Sequence, residues 1–164
     1  MSKEQGLEQY SKQQLIDFVQ QLQQRKKISP AEIEQFTIDQ GILIPCCIFD
    51  TVLSPFESIC AYLKEQQRLT YHEIAQLVKR DDRTIWTVYQ HAVKKHKQKF
   101  IVKKDDVFIP VKILQDRRLS VLEHLVRYLK DFYTLTYHQI AVLLKRDDRT
   151  IWTVYQRGLR KVKA

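Results

Sequence analysis

Two stretches of the chain carry the same polar side chains at the same spacing. Arg83, Trp86, Thr87 and Gln90 recur as Arg149, Trp152, Thr153 and Gln156. At about 100° per residue these positions share one arc of a helix, and Lys94 and Arg160 extend it. The opposite arc is apolar, with Ile85, Val88, Tyr89 and Ala92 in the first copy. An exposed arc of Arg, Trp, Thr, Gln and Lys can bond base edges or phosphates, or touch a thymine methyl. Core packing accounts for a repeated Ile or Tyr. It does not account for a repeated exposed Arg, Thr and Gln. A shared ligand surface does, and the competing explanation is a recent duplication that has not yet diverged.

Other chemistries are less well supported by the pattern. His72 and His138 recur, but no His, Cys or carboxylate stands at metal spacing beyond Glu73, so no metal is expected. Asp81-Asp82 and Asp147-Asp148 could be carboxylate pairs, yet a helix cap plus a helix-dipole partner explains them without catalysis. There is no Gly-rich phosphate loop and no Ser-His-Asp arrangement. Enzyme activity, a cofactor and a small-molecule substrate are therefore not expected. Cys46, Cys47 and Cys60 are odd in number and two are adjacent, which suits neither a disulfide framework nor a four-ligand zinc site. Their apolar neighbours point to buried packing, with redox sensing as a lesser reading. Trp86 and Trp152 have two readings: filling the edge of the helical core, or reaching outward as apolar probes.

The elements that must position these residues follow from an internal duplication. Leu69–Lys95 and Leu135–Lys161 match at 20 of 27 positions, and Lys79–Gln90 is identical to Lys145–Gln156. The match extends upstream through Leu53-Ser54 and Leu119-Ser120 to Ile44-Pro45 and Ile109-Pro110. Each copy reads as three helices. Ser54 with Glu57, and Ser120 with Glu123, form capping boxes that open the first helix. Pro55 sits at a first helical position, where its missing N–H is harmless. Thr70 with Glu73, and Thr136 with Gln139, open a short second helix of about residues 71–79. Asp81 caps a third helix of about residues 82–95.

Glu73-Ile-Ala-Gln-Leu77, a four-residue turn region, and then Thr84-Ile85 resemble the helix-turn-helix of sigma factor region four and of response-regulator output domains. The resemblance covers residues 53–95 and 119–161, slightly over half the chain. It implies that each third helix enters the major groove of DNA while the second lies across the backbone. Arg83, Trp86, Thr87 and Gln90, with Arg149, Trp152, Thr153 and Gln156, are then the base-facing candidates. Tyr71, His72, Lys79, Arg80, Thr84 and Lys94, with Tyr137, His138, Lys145, Arg146, Thr150 and Arg160, are the phosphate candidates. Such motifs often carry Gly in the turn, where this chain has Lys79-Arg80 and Lys145-Arg146.

The remaining sequence sets the frame. Across 164 residues the net charge is +9, hydrophobic residues make up 44%, and only 3 Gly and 4 Pro occur. That is globular composition with too few turn-formers for a many-stranded sandwich. Residues 1–43 hold 5 basic and 6 acidic residues, whereas residues 44–164 hold 23 and 13, so the positive excess lies in the duplicated part and its linker. No transmembrane run and no signal peptide are read, and a cytoplasmic or nucleoid location is expected. The expected fold is all-α. It has an N-terminal helical segment (1–43), a first helix-turn-helix unit (44–96), a linker (97–118) and a second unit (119–164). Two β-branched runs around a Lys-Asp turn suggest a short hairpin within the linker. The Ile-Pro elements at 42–45 and 107–110 offer a second pairing, which would fix the units relative to each other.

The N-terminal segment is expected to carry two amphipathic helices, one through Leu15, Phe18, Val19 and Leu22 and one from Ser29. They are read either as a truncated third repeat or as two unrelated capped helices, serving homodimerisation or a protein partner. The expected partner of the duplicated part is double-stranded DNA, read as a bipartite site by a transcriptional regulator. The alternatives are an architectural nucleoid protein of low specificity and a protein-interaction adaptor.

Overall fold

The computed structural model describes residues 41–102 and 106–164. The N-terminal helices expected from Leu15 and from Ser29 lie outside the described residues. The chain divides into two units, Met1–Gly41 and Ile42–Ala164. The described part of the second unit is mostly helical, with one two-stranded antiparallel sheet. In order, it runs β1 (Leu43–Pro45), a 3-10 turn (Cys46–Ile48), α1 (Pro55–Glu65), α2 (Tyr71–Val78) and α3 (Asp82–Lys95). After the linker come β2 (Phe108–Pro110), a second 3-10 turn (Val111–Gln115), α4 (Val121–Asp131), α5 (Tyr137–Leu144) and α6 (Asp148–Lys163).

All four capping boxes form, so every first and second helix starts where its Ser or Thr stands. Each such cap contributes about 1 kcal/mol by satisfying N–H groups that the helix leaves open. Asp81 and Asp147 start α3 and α6 by accepting from the backbone N–H of Thr84 and Thr150. The turn before each of these helices is made by Lys79 (φ 51°) and Lys145 (φ 49°), both left-handed. A left-handed residue lets the N–H groups after α2 fold back onto its last carbonyls, and glycine is the usual choice there. In this chain a lysine adopts that conformation twice.

The main core cluster spans both copies and includes Ile59, Ile74 and Ile85 of the first and Leu125, Ile140 and Ile151 of the second. Cys46 and Cys60 are buried within it. Burial pushes both thiols upward, Cys60 to about 12, so they remain protonated at neutral pH and act as packing groups. One contact between the first and third helices has diverged in a compensating way. Buried Ala61 packs with Ala92 in the first copy. At the matching positions of the second stand Arg127 and Gly158, where a Cβ on the glycine would lie 3.1 Å from Arg127 Cδ. The larger side chain on α4 is accommodated by removing one on α6.

The sheet corrects the expectation of a hairpin inside the linker. Phe108–Pro110 pairs with Leu43–Pro45 across the duplication, and residues 100–102 belong to no strand. Cys46 N–H donates to Val107 O, and Val111 N–H donates to Ile42 O, each at 2.9 Å. These bonds place the ladder at alternate residues, so Pro45 and Pro110 fall where an N–H would point away from the partner. The prolines therefore permit this pairing.

Each first helix is clamped to its third helix by a buried carboxylate. Lys95 Nζ lies 2.9 Å from Glu57 Oε1, and Lys161 Nζ lies 2.9 Å from Glu123 Oε2. Burial raises both glutamates, but the lysine and the Ser54 or Ser120 backbone N–H outweigh it and hold each carboxyl below its ordinary 4.5. A depressed carboxylate stabilises the fold above the unfolded-state pKa and loses that contribution as pH falls through the folded one. Thermal stability should therefore be level from pH 7 to about 5 and decline below about 4.5. The Glu57→Gln, Glu123→Gln variant should be less stable at pH 7 and decline less steeply in acid. Lys161→Met should cost about 1.5–3 kcal/mol at pH 7 by denaturant titration.

Candidate nucleic-acid interface

The polar arc of α3 and α6 stands outward. Ile85 and Ile151 are fully buried on the inner side of these helices, and Arg83, Arg149, Trp86 and Trp152 are exposed on the outer side. Gln90, Gln156 and Thr87 are half-buried, Thr153 is exposed, and Lys94 and Arg160 are exposed toward the C-terminal ends. Trp86 and Trp152 are each 51% exposed, so neither is enclosed in the core and each keeps open surface on the outer side. Thr87 and Thr153 donate their hydroxyls to the carbonyls of Arg83 and Arg149 at 2.9 and 2.8 Å. Each threonine therefore has its own proton committed within the helix and keeps acceptor capacity and a methyl.

Several other candidates help to hold the helix pair. Thr84 and Thr150 donate their hydroxyls to the capping aspartates at 2.8 and 2.6 Å. These hydroxyls, followed by the threonine backbone N–H groups, hold Asp81 and Asp147 below the usual carboxylate range. His72 Nδ1 lies 3.0 Å from an Asp82 oxygen, and His138 Nδ1 lies 3.1 Å from the matching oxygen of Asp148. The two histidines thus link the start of the second helix to the start of the third in the same way in both copies. Tyr71 packs against Tyr89 with ring centroids 5.9 Å apart, and Tyr137 against Tyr155 at 5.8 Å. Lys64 and Lys130 cover the Tyr71 and Tyr137 rings at 4.6 and 4.8 Å, a cation–π contact.

The turn cations differ in their commitments. Lys79 and Lys145 are exposed, whereas Arg80 and Arg146 are half-buried. Arg146 donates to Asp50 O at 3.0 Å and to Leu53 O at 3.4 Å, across the duplication. Arg80 instead donates to the carbonyls of Val78 and Lys79, each at 3.3 Å. Sequence reasoning missed this inter-copy role of Arg146, and it missed Gln115, whose side chain donates to Leu77 O at 2.9 Å. Ile109 stands ten residues before Leu119 whereas Ile44 stands nine before Leu53, and Gln115 falls in that longer segment of the second copy.

The outer faces therefore present Arg83, Trp86 and Gln90 with Lys79 and Lys94, and their equivalents, over a scaffold that uses most other candidates for support. The arrangement offers forked and amide hydrogen bonding, flat apolar surface and positive charge, and so suits a polyanion with readable edges. Among the described residues no group of three or more His, Cys, Asp or Glu could hold a metal ion. Nor, among them, is any helix long and apolar enough to cross a membrane. Trp86 and Trp152 are the chain's only tryptophans, so its indole fluorescence reports this surface alone. Emission should be that of water-exposed indole and open to quenching by acrylamide; blue-shifted, protected emission would place the rings inside. Compared with protein-family models, curated proteins and solved structures, the chain finds no match in any of the three.

Proposed function

We propose that this chain is a sequence-specific double-stranded DNA-binding protein, a transcriptional regulator that reads a bipartite site with two near-identical helices. In this reading α2–α3 and α5–α6 are helix-turn-helix pairs, with α3 and α6 in the major groove and α2 and α5 across the backbone. The observation that carries it is that exposed Arg83 and Trp86 recur unchanged as Arg149 and Trp152, while a buried contact between the first and third helices has diverged. The Ala61–Ala92 contact has become Arg127 against Gly158, yet Lys79–Gln90 and Lys145–Gln156 have not changed at any position. Drift has had time to replace a buried pair and has left exposed Arg83 and Trp86, with half-buried Gln90, unchanged in the second copy.

The turn lysines support the same reading. A non-glycine residue in the left-handed region is disfavoured by about 1–2 kcal/mol. Both copies retain lysine there, at the edge of the outer face. A cation that touches phosphate is a reason to keep a strained residue where glycine would relax the turn.

Two sets of variants test the proposal. Arg83→Ala with Arg149→Ala should cost about 1–3 kcal/mol per contact and relax preference at the same base in both half-sites. Affinity left intact on a selected site would remove α3 and α6 as the readers. Lys79→Gly with Lys145→Gly should weaken binding to every sequence and make the salt dependence shallower. The same variant should melt no lower than the parent, because glycine relieves the turn. Lower melting together with unchanged binding would give these lysines a purely structural role.

A further inference from the structure

We infer that the two readers are related by an internal two-fold axis, so that the DNA site is an inverted repeat of one short motif within a single duplex. This rests on the DNA-binding reading above and adds the geometry of the site.

The axis is visible in the strand register. Ile44 and Ile109 are equivalent residues of the two copies, and they face each other at the centre of the sheet. Leu43 pairs with Pro110, and Pro45 pairs with Phe108. Exchanging each residue for its equivalent turns the first pair into the second. Only an antiparallel pairing of a segment with its own copy has this property, and it places a dyad between Ile44 and Ile109. The flanking bonds obey the same exchange, since Cys46 N–H to Val107 O becomes Val111 N–H to Ile42 O at the same 2.9 Å.

The packing beyond the sheet is reciprocal as well. The 3-10 turn that leads into the second copy packs on α2 of the first, and the turn that leads into the first packs on α5 of the second. Helix α1 meets its own equivalent, α4. This is an isologous interface, the kind made by a symmetric dimer, here closed within one chain. A head-to-tail arrangement would set two different surfaces against each other and would leave one free at each end.

Readers related by a two-fold meet the same bases in the same orientation only where the DNA has a coincident dyad. Inverted half-sites supply that dyad and direct repeats do not. The symmetry is imperfect in its side-chain bonds, since Arg146 crosses to Asp50 O and Leu53 O while Arg80 bonds its own turn and Gln115 to Leu77 O has no counterpart, and it is imperfect at the edges. Helix α6 runs to Lys163 while α3 stops at Lys95, and Gln76 of α2 corresponds to Val142 of α5. The half-site centres should therefore match more closely than their flanks.

The test uses the full chain. Selection from random duplex DNA would first yield the motif. Duplexes carrying it as an inverted pair, as a direct pair at the same spacing, as a single copy and as a scrambled sequence would then be titrated at fixed salt. The inverted pair should bind one chain per duplex, about a hundredfold tighter than the single copy, and the direct pair should bind like the single copy. Equal or tighter binding of the direct pair would overturn the inference. So would one chain holding two single-copy duplexes with no gain from joining them. Both of those outcomes leave sequence-specific reading intact. No preference for any selected duplex over the scrambled one would overturn the reading itself, and the inference with it.

Discussion

The arrangement of this molecule depends on one short segment pairing with its own duplicate. Leu43–Pro45 and Phe108–Pro110 are three residues each, and an isolated two-stranded pairing of that length is not stable in water. It persists because Ile44 and Ile109, both fully buried, lie within the common core. The pairing brings the following 3-10 turn of each copy onto the second helix of the other. Two units that could have been separate beads on a linker instead share one interior. Their outward faces are then held by core packing, and the linker serves to close the chain.

Within that frame, orientation of the outer helices is fixed by polar groups at their ends. The buried glutamates grip lysines 38 residues further on, which sets α3 against α1 and α6 against α4. The aspartate caps and the histidine–aspartate pairs fix the other ends. These contacts use Thr84, Thr150, His72 and His138, and they leave Arg83, Arg149, Trp86 and Trp152 exposed. A surface whose side chains do so little for the fold is one that a ligand can select.

Much of this was legible in the sequence where the controlling forces are local. Caps are decided within one turn of chain, so Ser54, Thr70, Asp81 and their equivalents mark helix starts that the structure reproduces. Helical periodicity separated Ile85 from Arg83 for the same reason. The rest is governed by distant partners. Phe108–Pro110 carries β-branched and aromatic side chains that would suit a local hairpin or a remote strand equally, and only the shared core decides between them. Arg146 and Arg80 are the same residue in an identical stretch, yet Arg146 reaches carbonyls across the duplication while Arg80 bonds its own turn. Glu57 was legible as a cap and not as the partner of Lys95, because its second role requires the helices to be packed.

The two-fold relation of the copies stands on the strand register, and nuclear Overhauser effects between strands test it most directly. Leu43 with Pro110, and Pro45 with Phe108, occupy the non-hydrogen-bonded positions, where facing Cα atoms approach to about 4.5 Å and their hydrogens come into contact. Strong Hα–Hα cross-peaks are expected for both pairs. Their absence, with Phe108 giving cross-strand peaks to residues 100–102 instead, would return the linker to a local hairpin and contradict the two-fold.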